Sequence, residues 1–205
     1  MKVKYQATKN DDPSPVTNLF RILKEIDEGK SINREDFDWL EKRGYYSVLA
    51  MYYESFPGEI GIDHLPTAGS YWRKAKNPKR ALEITDNIRP GNPKSYSVLL
   101  IMRGGAYRDL KNFIEAEKCG REAIKLTKNN YYPYNLLGAI YWQQGLPGKA
   151  DSFFDKAIQL GSTIKERDNM IISAMKQASA LEKKQVAEYL LKKDAEKYFW
   201  VKKYL

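Results

Sequence analysis

The sequence predicts an all-α chain of stacked helix pairs with helical caps at both ends, and three observations predict it. A glycine recurs at Gly69, Gly104 and Gly138, and twelve residues after each stands an alanine: Ala81, Ala116 and Ala150. Three residues after each glycine stands an aromatic: Trp72, Tyr107 and Tyr141. Between glycine and alanine fall turn formers, "KNP" at 76–78, "LKN" at 110–112 and "QGLPG" at 144–148. Small side chains on facing helices let two backbones approach closely, and the aromatic fills the space beside that contact. Asn, Gly and Pro stop one helix and start the next. Each unit is then a helix–turn–helix of about 34 residues that needs its neighbours to bury its apolar face. The units run 62–96, 97–130 and 131–164, with one extra residue near "RPGNP".

The elements run in order along the chain. Residues 1–15 contain "KNDDPSP", show no periodicity and read as a loose arm. A helical cap fills 16–61. Thr17 caps its first helix, whose stripe is Leu19, Phe20, Leu23 and Ile26. Asn33 caps a second helix running to Arg43, ended by Gly44. "YYSVLAMYYESF" makes a third, with Tyr45, Val48, Leu49, Tyr52 and Phe56 on one side, and "PGEIG" is a loop. After the repeats, 165–205 reads as a capping helix pair. One stripe holds Ile164, Ile171, Met175, Ala178 and Leu181; the other holds Ala187, Leu190, Leu191, Ala195, Tyr198 and Val201.

The repeat units resemble the tetratricopeptide repeat family. The third carries the likeness best, with Tyr134, Leu137, Gly138 and Tyr141, then Ala150, Phe154 and Ala157. The second keeps Gly104, Tyr107, Ala116 and Ala123. It departs at Arg103, where leucine is usual, and at Gly120, where a large residue is usual. The first keeps only Gly69, Trp72 and Ala81. The likeness implies a right-handed α-solenoid whose first helices line a concave groove for extended peptides or helices. Carrying the register over places Ser70, Arg73 and Lys74 in that groove, with Met102, Gly105, Arg108 and Asp109, and with Tyr132, Asn135, Ala139, Trp142 and Gln143. The expected partner-binding set is Arg73, Lys74, Arg108, Tyr132, Asn135 and Trp142, basic on one side and aromatic on the other. Pro66, Ile101 and Ala139 replace residues of the family's chaperone-tail clamp, which argues against that ligand. The pentatricopeptide repeat is a rival of similar length, but three units would read too few bases to hold RNA specifically.

Composition sets the remaining bounds. Hydrophobic residues make up 42% and charged residues 30%, enough for a core. Cys119 stands alone, which fits a reducing compartment and a cytoplasmic location. The first thirty residues hold no continuous apolar run, and no stretch is apolar enough to span a membrane. Net charge is −2 over 1–61 and +11 over 62–205. The second part would attract an acidic partner. No phosphate loop or metal-ligand spacing occurs, His64 has no ligand-type neighbours in sequence, and Cys119 falls on a packing face. No cofactor and no catalysis is expected. The expected function is a protein-binding adaptor that takes an acidic or amphipathic segment. A nucleic-acid-associated role for the basic surface, or a role as accessory subunit of an enzyme complex, remains as the alternative. The interleaved "KKQVAEYLLKKDAEKYFWVKKYL" reads as an amphipathic capping helix with a solvated lysine face.

Overall fold

A computed structural model describes residues 13–55 and 64–205 of the chain, and among them every regular element is helical. The helices are α1 (Pro13–Asp27), α2 (Arg34–Lys42), α3 (Tyr46–Glu54), α4 (Leu65–Lys74), α5 (Pro78–Glu83), α6 (Pro93–Asp109), α7 (Phe113–Leu126), α8 (Tyr132–Gln143), α9 (Pro147–Gln159), α10 (Ile164–Gln177) and α11 (Ala180–Lys193), followed by a 3-10 helix, Phe199–Tyr204. They form two compact bodies, residues 1–89 and 90–205. The division separates the first helix pair, α4–α5, from the other two.

In the first body, Leu19, Ile22, Leu23, Leu40, Val48, Leu49 and Tyr71 make the core. Helix α1 begins at Pro13, so Thr17 is an exposed residue inside the helix and not its cap. Pro13 sits in the first turn, where its missing N–H costs nothing. The expected loose arm therefore ends early; residues 1–12 lie outside the described residues, as do Phe56 and the "PGEIG" loop. Asn33 caps α2 by accepting from the Asp36 N–H at 2.9 Å. Gly44, at φ 76, ends that helix. Arg21 on α1 pairs with the nearly buried Asp36 on α2.

The three helix pairs share one turn. Lys76, Lys111 and Gly145 all adopt the left-handed conformation, with φ of 63, 60 and 72°. The N–H after each bonds to the carbonyl of the repeat aromatic: Asn77 to Trp72, Asn112 to Tyr107 and Leu146 to Tyr141, each at 2.9 Å. The left-handed residue itself bonds to the carbonyl three positions back, at Arg73, Arg108 and Trp142. This is the Schellman arrangement, which satisfies the orphan carbonyls of a helix end. Asn77 and Asn112 then cap the next helix with their side chains.

The second body shows why small residues recur. A Cβ on Gly104 would stand 2.6 Å from Leu136 Cδ2 and 3.2 Å from the Ala116 carbonyl oxygen. One on Gly138 would stand 2.8 Å from the Phe154 ring. Gly120, the departure from the family pattern, would meet Leu137 at 2.8 Å. The next unit's leucine fills the space that a large residue would otherwise occupy.

The expected final pair, 165–205, has a different form. Helix α10 packs mainly on α8, whereas α8 packs mainly on α7 and α9. Ile171, Met175 and Ala178 are buried as expected, but Ile164 and Leu181, each at the start of a helix, are exposed. The last stripe does not run through one helix. The chain turns at Asp194, leaving Ala195 exposed; Tyr198, just before the 3-10 helix, and Val201 within it return to the core.

Candidate functional site

Six residues are expected to line a groove, and the structure distributes them unequally. Arg73 and Lys74 belong to the first body, at the end of α4. Lys74 is engaged there. Its ammonium donates to Glu41 Oε1 at 2.9 Å and lies over the Tyr71 and Tyr46 rings at 4.7 and 5.4 Å. That ammonium holds the Glu41 carboxyl below the usual carboxylate range, and burial pushes the Tyr71 phenol up.

Arg108, Tyr132, Asn135 and Trp142 belong to the second body. Of these, Tyr132 is the exposed one, with its ring 4.2 Å from that of Tyr131. Arg108, Asn135 and Trp142 are buried, so as placed they do not face solvent. The groove-register residues beside them, Met102, Gly105, Ala139 and Gln143, are buried too. The cause is α10. Ile171, Ala174 and Met175 share a core with Trp142, whose indole meets the Tyr189 ring edge-on at 6.0 Å. At the far end of α10, Gln177 Nε2 donates to Asp109 Oδ1 on α6, at 3.3 Å. Helix α10 thus crosses the face of α8 that the repeat register assigns to a ligand.

The sequence does carry a signal for this. Helix α8, "YPYNLLGAIYWQ", has no charged residue, and a helix without a polar face is buried all round. The periodicity of α10 reports that one face is buried but not against what.

The polar groups on this face are unevenly matched. Asn135 Nδ2 donates to Ser162 Oγ at 2.9 Å, and Ser162 donates to Glu166 Oε2 at 3.2 Å. Glu166 also closes a capping box with Thr163. Yet Asn135 Oδ1, Trp142 Nε1 and both amide atoms of Gln143 meet no hydrogen-bonding group among the described residues.

Elsewhere the chemistry is spare. Among the described residues no group of three His, Cys, Asp or Glu could hold a metal ion. His64 stacks on Tyr53 at 5.9 Å. Cys119 is buried against Leu100 and Ala123, and burial pushes its thiol up to about 11. No helix of the described residues is long and apolar enough to cross a membrane.

Helix pairs in register, joined by one repeated turn and packed through glycine, define a helical-repeat protein. Residues 98–130 and 131–160 match the tetratricopeptide repeat family model, and they are the second and third units of the register. Residues 98–160 thus carry two tetratricopeptide repeats. No curated protein matches the chain.

Proposed function

We propose that the chain is a cytoplasmic scaffold that docks a segment of another protein and acts by positioning it, without chemistry of its own. The family mediates protein–protein interaction in general. The observation that carries the reading for this chain is the amide-bearing face of α8. Asn135, Trp142 and Gln143 present donors and acceptors in the ligand register, and the helix across them leaves most of those atoms unbonded. The partner is a segment with polar main-chain or side-chain groups to match, anchored by an apolar residue. An acidic segment suits the charge of the second body, in which residues 90–205 hold 20 Lys and Arg against 12 Asp and Glu. Arg73 and Lys74 would then serve a separate contact on the first body.

The test is affinity capture with the full chain, then titration of the purified partner at two salt concentrations. Docking of a protein segment predicts a mild loss of affinity with salt. Nucleic acid as the bound species, with affinity falling steeply through counterion release, would sink the scaffold reading.

A further inference from the structure

Helix α10 covers the docking face of α8 well in its apolar half and badly in its polar half. Ile171, Ala174 and Met175 pack beside Trp142. Gln143, however, is 1% exposed and has neither amide atom bonded among the described residues. Trp142 Nε1, Asn135 Oδ1 and, on α10 itself, Gln177 Oε1 are in the same state. An amide removed from water without a partner destabilises whatever holds it there. The closed arrangement therefore carries a local cost that opening removes.

The way α10 is attached suits such opening. It comes after a turn with Gly161 at φ 103 and ends at the extended Ala178, so both ends are sharp breaks. Its main partner is α8, and Ile171, Ala174 and Met175 are its buried contribution to the core there. The stack's own contacts through Gly104, Gly120 and Gly138 do not involve it.

We propose that α10 is a displaceable cover over the docking face of α8, and that it yields to an extended segment of a partner protein whose main chain pairs with Asn135 and Gln143. The inference rests on the docking reading and adds its regulation. A side-chain amide offers one donor–acceptor pair, which matches the N–H and C=O of a peptide unit. Asn135 and Gln143 are eight residues apart on one helix, or about 12 Å along its axis. An extended chain covers that span in about three to four residues. Opening α10 thus gives two amide clamps spaced for one short strand, with the Trp142 indole N–H between them.

Hydrogen exchange on the full chain tests the cover without any partner. The amides of α10 are expected to exchange at least tenfold faster than those of Leu137–Tyr141 on α8. Gln143→Met keeps the volume and removes the unpaired amide, so it should slow α10 exchange without lowering Tm. Gln177→Ala should speed α10 exchange and leave α6–α9 unchanged. Protection of α10 equal to that of α8 would overturn the cover, as would a lowered Tm for Gln143→Met, which would show the amide to be paired through water or otherwise.

The occupant is tested with a phage-displayed library of random twelve-residue peptides panned on Gln177→Ala. Enriched peptides should bind Gln143→Met at least ten times more weakly. Peptides indifferent to that change, or none enriched, would overturn the assigned occupant. A captured partner protein that binds equally well whether α10 is loose or tight would sink the cover and leave the scaffold reading standing.

Discussion

The chain crosses from α4 to α5 through Lys76 and from α8 to α9 through Gly145, and the two crossings have the same hydrogen bonds. The second helices of the two pairs differ. Helix α5 has six residues and α9 has thirteen. In the later pair a second alanine, Ala157, comes seven residues after Ala150 and is fully buried. In the first pair the matching position is Ile88, which lies beyond the helix. The Thr85 hydroxyl turns back to the Ala81 and Leu82 carbonyls, and Asn87 enters the left-handed region at φ 57. Pro90 comes three residues later. The turn is therefore encoded by a few local residues, whereas the length of the second helix depends on a small residue one stack-contact further on. A unit can lose the second property and keep the first.

The largest expected effect breaks the later pair. Gly138→Leu places side-chain atoms where the Phe154 ring already sits, 2.8 Å from the first added carbon. Overpacking of this kind should cost about 3 kcal/mol. Thermal melts of Gly138→Leu and of the double variant with Phe154→Ala check it. The two losses should be non-additive, because the second change makes room for the first. An unchanged Tm for the single variant would refute the register at this position.

The next effect is chemical. Burial pushes the Cys119 thiol up to about 11, from an ordinary value of 9.0. The thiolate fraction at neutral pH should thus fall by a factor of about a hundred, before steric shielding is counted. Alkylation of the folded chain by iodoacetamide should be at least about a hundredfold slower than in denaturant. Equal rates would show that the α6–α7 contact opens freely.

What the sequence discloses tracks what is local. Packing through glycine requires small residues at fixed spacing, so the boundaries 97–130 and 131–164 nearly coincide with the matched 98–130 and 131–160. The cap of α2 is legible because Asn33 needs no distant partner. The start of α1 is not, since Pro13 and Thr17 are both residue types that suit a helix start. The face of α8 misleads for a deeper reason. Repeat register says where a side chain points, and Asn135 and Gln143 are polar types that suggest water. The uncharged run of α8 says that the direction is occupied, and only the tertiary placement of α10 says by what.

A smaller effect sharpens the comparison between aromatics. Trp72 Nε1 donates to Glu54 Oε2 on α3 at 2.9 Å, while Tyr141 OH accepts from Arg121 on α7 at 3.2 Å. Each of these two aromatics is tied to the helix before it, so α3 stands to α4 as α7 stands to α8. Trp72→Phe should cost about 1–2 kcal/mol, since it leaves a carboxylate oxygen less well satisfied. The Arg80 guanidinium also pairs with Glu54 and limits the loss. Urea unfolding of Trp72→Phe and Glu54→Gln, singly and together, measures the coupling. A coupling near zero would remove α3 from the role of preceding helix.

The smallest expected effect tests whether the shared turn is one structural feature or three coincidences. Lys76 and Lys111 carry a side chain at φ 63 and 60, where the Cβ crowds the next carbonyl. Glycine has no such crowding but loses more chain entropy on folding, so the net gain is a fraction of the steric term. Lys76→Gly and Lys111→Gly should each stabilise by about 0.5 kcal/mol, with equal sign in both bodies. The reverse change, Gly145→Lys, should destabilise, and by somewhat more. Its Cβ meets the left-handed strain and also stands 2.4 Å from Gln185 Oε1, a flexible amide end that has to move aside. Denaturant midpoints for the three variants decide the matter. If Lys111→Gly stabilises and Lys76→Gly destabilises, the first pair uses its turn under a different constraint. The likeness of the two crossings would then be one of shape without a shared energetic cause.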